Sequence, residues 1–217
     1  MRKDTKVRKL SVLQDSGDYN TRNMEGGVSV ETREFMLWYG LNRRAKHKYS
    51  YSDKCYANTT VSGKFKNYNY FVVWAKEQTG FHEKGWCLDK DILCWGGDKV
   101  YSESTCVFIP ISINSFLTFS HKSKNLSGYT GVSWQSTYTK SKGKFIVSCA
   151  MLDGKNKTLG RTDDAYQGYL LYRQCKVQLA VTLAEKYKDR LDERVYKFLC
   201  DFDKHIDTYG IFAKEEE

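Results

Sequence analysis

The 217-residue chain has no apolar run approaching roughly 18 residues, and no charged start followed by an apolar stretch. A membrane span needs the first and a secretory leader the second, so neither is expected, and the chain reads as a soluble, cytoplasmic protein. It also lacks any Cys-x-x-Cys pair. Its seven cysteines, Cys55, Cys87, Cys94, Cys106, Cys149, Cys175 and Cys200, are odd in number and scattered. Such spacing argues against a disulfide framework and a zinc cluster, and predicts reduced core thiols. Acid is scarce in one region. From His121 to Arg161 there are eight basic residues against one acid, Asp153, a net +7 out of a whole-chain +9. No internal repeat is present.

What is there divides into two small units, 1–127 and 128–217, with 15% aromatic residues to fill modest cores. The start is basic (Arg2, Lys3, Lys6, Arg8, Lys9), followed by a short strand at Lys9 to Leu13 and a break at Gly26-Gly27. From Glu31 to Ala45, Phe35, Trp38 and Leu41 fall at helical spacing, and this stretch runs into the basic cluster Arg43, Arg44, Lys46 and Lys48. A second helix is expected over Asn69 to Gln78, with Phe71, Trp74 and Ala75 inward. After Thr162, apolar residues from Ala165 through Leu179, Leu183 and Leu191 to Phe202 recur every three or four positions. A single helix of that length is unusual, so a break is placed at Lys188-Asp189-Arg190. The two resulting helices fold back on the body or onto a second copy, which makes a homo-oligomer a possible partner state. The tail from Lys214 to Glu217 is expected to fray.

The stretch from Leu88 to Asn114 carries the candidate chemistry. Leu88 to Leu93 reads as a strand with Asp89 and Asp91 on one face and Lys90 on the other. Gly96-Gly97-Asp98 is turn chemistry, Val100-Tyr101 starts a returning strand, and Thr105 to Asn114 leads into a helix through the chain's only proline, Pro110. An isolated Asp-x-Asp on a hairpin is equally a solvated pair of charges.

In type and spacing, the order strand, turn, strand, helix resembles the ββα-metal core of HNH endonucleases, above all the phage homing branch. The resemblance implies Asp89 and Asn114 as ligands of one divalent cation, Mg²⁺ or Mn²⁺, with Thr105 as the residue that ties the loop. The family places its general-base histidine directly after the aspartate, where this chain has Lys90. No histidine lies between Asp89 and Asn114. The base therefore stays open among Asp91, Lys90, His82 and His121, with Asp91 also a second oxygen donor or an orienter. Pro110 and Ile113 stand where many relatives have cysteines, so no zinc knuckle is expected.

Past a polar bridge, Gly128 to Tyr172 reads as strand, strand, hairpin, strand and helix. Phe145, Val147, Cys149 and Met151 alternate with Lys144, Ile146, Ser148 and Ala150, and Asp153-Gly154 is a hairpin signal. Thr162 is the expected N-cap, with Asp163 and Asp164 in the first helical turn. Gly131-Val132, Gly143-Lys144-Phe145, Leu159-Gly160 and Thr162 to Tyr166 resemble the ethylene-response-factor (APETALA-type) DNA-binding domain, which phage homing endonucleases also carry. A basic sheet of this kind lays strands into a DNA major groove while lysines hold phosphates. The residues expected to meet DNA are Trp134, Tyr138, Lys140, Lys142, Lys144, Lys155, Lys157 and Arg161. Arg43 and Arg44 touch the backbone by the resemblance, and by composition they are equally solvated charges.

The expected fold class is α+β: an HNH-like ββα core, then a three-stranded antiparallel sheet packed on a long C-terminal helical segment. The expected function is metal-dependent hydrolysis of phosphodiester bonds in double-stranded DNA by a phage homing-type endonuclease in its host's cytoplasm. Two rivals remain, a catalytically degenerate DNA-binding protein and a structural or host-interaction protein.

Overall fold

The computed structural model describes residues 19–46, 56, 58–118, 127–135 and 143–211. The expected strand at Lys9 to Leu13, Tyr138, Lys140, Lys142, His121, Cys55 and the tail lie outside them. The protein is a mixture of helices and small sheets, as the α+β reading expects.

Strands β1 (Arg22–Glu25) and β2 (Val28–Glu31) form a hairpin turned by Gly26-Gly27, both at positive φ. The Thr32 hydroxyl accepts the Phe35 N–H (3.2 Å) and so opens helix α1, Arg33–Lys46, with Arg43, Arg44 and Lys46 in its last turn. Phe35, Trp38 and Leu41 are buried, as their spacing predicts. Strand β3 (Thr60–Val61) and helix α2 (Tyr68–Glu77) follow, and α2 turns Phe71, Trp74 and Ala75 inward. The two helices share an aromatic core in which Trp38 Nε1 donates to the Phe65 carbonyl (2.8 Å) and Phe65 lies 4.6 Å from Trp74.

Strand β4 is Trp86–Asp89, and it is shorter than the sequence pattern suggests. Asp89 Oδ1 accepts the N–H groups of Asp91 (2.9 Å) and Ile92 (2.8 Å), bending the chain into a single 3₁₀ turn at Ile92–Cys94. This local acceptor competes with strand pairing and wins. Lys90 does not face away from the carboxylates as expected, because the strand no longer runs through it. Strand β5 (Val100–Tyr101) exists, but it pairs in parallel with β3. The antiparallel partner of β4 is β6 (Val107–Pro110), with Asp89 opposite Val107 and Trp86 opposite Pro110. Helix α3 (Ile111–Phe116) leaves directly from β6.

The second sheet is antiparallel in the order β7 (Val132–Trp134), β8 (Phe145–Ala150), β9 (Asn156–Thr162), with an irregularity at Val147/Ser148. Helix α4 (Ala165–Tyr187) covers its Val132, Val147 and Cys149 face. A Cβ at Gly168 would meet Val147 and Thr162 methyl carbons at 3.1 Å, so glycine permits this close approach. The N-cap of α4 is Asp164, whose Oδ1 accepts from Tyr166 (2.8 Å) and Gln167 (3.2 Å). Thr162 instead accepts the Asp164 N–H, and Asp163 accepts the Lys144 N–H across the sheet. Asp164→Ala is therefore expected to cost about 1 kcal/mol in urea unfolding, and Thr162→Ala clearly less. The opposite order would return the cap to Thr162.

The break falls where expected: α4 ends at Tyr187 and α5 (Glu193–Cys200) starts after its N-cap Asp192. These helices fold back on the body. Lys176 is buried, donates to the Phe116 carbonyl (2.5 Å) and sits 3.6 Å above the Phe116 ring, which ties α4 to the end of α3. Burial pulls its pKa down to about 8. Helix α6 (Asp207–Gly210) follows a further 3₁₀ turn. Among the described residues no helix is long and apolar enough to cross a membrane, and six cysteines are free thiols.

Candidate nuclease cleft and basic sheet

Asp89 at the end of β4 and Asn114 on α3 are 25 positions apart in sequence and line one cleft of about 350 Å³. β6 starts beside Asp89 and ends at Pro110 opposite Trp86, and α3 then packs back against β4 and β6, so that Asn114 lines the cleft with Asp89. Asp89 Oδ1 is occupied by the two backbone donors, and no hydrogen bond from a described residue reaches Oδ2 or the Asn114 side-chain amide. Burial pushes the Asp89 carboxyl above the usual carboxylate range, the two backbone N–H groups oppose that, and Asp91 adds to it. A carboxylate in such a place gains by acquiring a positive partner.

Lys90 and Asp91 line the same cleft, paired with each other. Lys90 Nζ reaches both Asp91 oxygens (2.6 and 2.7 Å), its side chain 5% exposed against 45% for Asp91. The ammonium also stands 5.6 Å from the ring centres of both Tyr56 and Tyr101. Arg44 uses the same two rings, and its Nε donates to the Tyr101 hydroxyl (2.7 Å). It is held in this cluster and half-buried, whereas Arg43 is exposed. Lys90, Arg44, Asp91, Tyr56 and Tyr101 thus form one knot at the cleft.

Thr105 closes the turn between β5 and β6. Its hydroxyl donates to the Val100 carbonyl (2.5 Å), and the Ser102 N–H donates to it (3.1 Å). His82 is exposed in the α2–β4 connection, packed edge-on against Phe81, and does not line the cleft. Tyr56, Trp95, Lys99, Leu117, Thr118 and Tyr209 also line it. Trp95 and Lys99 flank the glycine turn, a signal that sequence carries. Tyr209 had no local signal. Among the described residues, no group of three or more His, Cys, Asp or Glu side chains converges as a metal cluster.

On the second sheet, Lys144, Lys155, Lys157 and Arg161 are exposed and in no ion pair with a described residue. Lys144 and Arg161 share the face away from α4 with Ile146, since Ile146 is in register with Arg161. Arg161 also hydrogen-bonds Gln135. Trp134 is half-exposed but does not share that face. It is two residues from buried Val132, in register with Phe145 and edge-on to that ring at 5.3 Å, so it lies on the helix side at the rim. Lys144 and Arg161 therefore face the other way from Trp134.

No protein-family model, curated protein or solved structure matches the chain.

Proposed function

We propose that the protein is a metal-dependent DNA endonuclease of HNH type, with Asp89 and Asn114 as the protein ligands of one divalent cation, Mg²⁺ or Mn²⁺. The observation that carries this is the meeting of Asp89 and Asn114 in one cleft through a strand–strand–helix unit. The donor set fits. Asp89 Oδ2 and the Asn114 amide oxygen are hard oxygen donors without a hydrogen bond from a described residue, the type such cations take. When bound, the cation stabilises charge on the phosphate and on the leaving oxygen. Asp89 holds its place through the Asp91 and Ile92 amides, and Lys90 holds Asp91 beside it. Asp91 is the carboxylate available to take a proton from water once that ion pair opens.

The basic sheet holds the duplex. With Lys144 and Arg161 on the outer face, the exposed Lys155 and Lys157 at the β8–β9 hairpin end (Lys157 in register with Cys149) and one further lysine of the same module engaged, about five phosphates are neutralised. Log K should then fall against log salt with a slope of about −4 to −5. Fluorescence anisotropy of a labelled duplex across a salt series reads this, and a flat dependence removes the DNA-binding assignment.

A catalytically degenerate DNA-binding protein is the second reading, and Lys90 is the observation that favours it. At the position of the family's base stands an ammonium that is buried and spent on Asp91. Nicking of supercoiled plasmid separates the two readings.

A further inference from the structure

The proposed chemistry uses only polar groups of the cleft. The same lining also carries the rings of Tyr56, Trp95 and Tyr209. Tyr56 stands beside Lys90, and Tyr209 meets the Trp95 ring edge-on at 4.9 Å and 90°.

Tyr209 belongs to the C-terminal segment His205–Ile211, which is fastened at several points. Trp95 Nε1 donates to the His205 carbonyl (2.9 Å), and the Thr208 methyl packs on Gly96. The Tyr169 hydroxyl donates to Asp207 (2.5 Å), and Arg173 pairs with the same carboxylate (3.4 Å). Thr130 Oγ1 donates to the Tyr209 carbonyl (3.2 Å), and Tyr129 bridges Ile211. The segment thus runs from the entry of the basic sheet to the mouth of the cleft and is held at both ends. Burial and the Asp207 contact push the Tyr169 hydroxyl pKa upward, so this fastening keeps its proton at neutral pH.

A duplex covers the faces of its own bases, so tyrosine rings in a cleft gain stacking energy only from a base that has left the stack. The volume, about 350 Å³, lies within the roughly 300–1,000 Å³ of pockets that enclose a small ligand. Lys99 stands in the same lining.

We propose that the cleft receives one unstacked DNA nucleotide, its base against Tyr209 and Tyr56. The C-terminal segment is then a wall of the nucleic-acid site, and DNA with an unpaired nucleotide is taken in preference to unbroken duplex. This rests on the chain being a DNA-binding nuclease. It adds the substrate class and the residues that select it.

The test uses the full chain with Ca²⁺ replacing Mg²⁺, and duplexes carrying one iododeoxyuridine either paired or as a single-nucleotide bulge. After irradiation, crosslinked peptides are mapped by mass spectrometry. The bulged DNA is expected to bind about tenfold tighter, the worth of one stacked base, and to crosslink within the tryptic peptide that contains Tyr209. Tyr209→Ala should remove that crosslink and the preference while affinity for the paired duplex is kept, and Tyr209→Phe should retain both. Tyr56→Ala should lower the preference without disturbing the C-terminal segment. Duplex binding with crosslinks confined to the sheet, unchanged by Tyr209→Ala, would overturn the proposal and leave the nuclease reading standing. No retention of either DNA would overturn both.

Discussion

Asp89→Asn is expected to abolish metal-dependent cleavage, by about 3 kcal/mol of barrier or at least roughly a hundredfold in rate, while the fold stays intact. The asparagine keeps an oxygen at Oδ1 for the Asp91 and Ile92 amides and removes only the charge. Asp89→Ala should lose cleavage as well, but it also strands two backbone donors and costs about 1–3 kcal/mol in stability. Asn114→Ala should lose cleavage with stability changed by no more than about 0.5 kcal/mol, because its side-chain amide bonds to no described residue. Duplex affinity should remain within a few-fold in all three, since the basic sheet is untouched. Rates measured beside urea unfolding decide this. Parental cleavage by Asp89→Asn in the parental metal would show that the cation, if any, is held elsewhere.

The second large effect concerns the ion pair. Asp91→Ala is expected to destabilise the protein by about 3 kcal/mol, because it leaves the Lys90 ammonium buried without its counter-charge. Lys90→Met should cost much less: the remaining carboxylate is nearly half exposed and can return to water, and the methionine fills the space between the tyrosine rings. The asymmetry follows from which partner is desolvated. Equal losses in urea unfolding would mean that the pair is solvated in solution, and Lys90 would then be free to move.

The elements legible in the sequence were those written in local periodicity. Phe35, Trp38 and Leu41 announced α1, and the alternation around Val147 and Cys149 announced β8. The charged run after Tyr187 announced the end of α4. What escaped was set by competition or by distance. Asp89 lies in a strand pattern, yet its side chain caps the next two amides, and nothing in a period-two reading weighs that option. Thr162, Asp163 and Asp164 are all competent caps, and Asp163 is diverted to Lys144, nineteen residues earlier. Strand β5 found its partner in β3 across the chain. In the cleft, Asp89 and Asn114 were readable from their place on a strand and a helix. Tyr209 was not, because its arrival depends on Trp95 reaching His205, 110 residues away. Lys176 was hidden for the same reason, since its acceptor is sixty residues back at Phe116.

The most direct measurement is the conversion of supercoiled plasmid by the full-length protein in Mg²⁺ or Mn²⁺, with a chelator arm and with Asp89→Asn beside it. The account predicts nicked or linear product with the metal, none with the chelator and none with the variant. Plasmid that is bound with a steep salt dependence but never cut in any divalent metal would contradict it, and the cleft would then belong to a DNA-binding protein without nuclease activity.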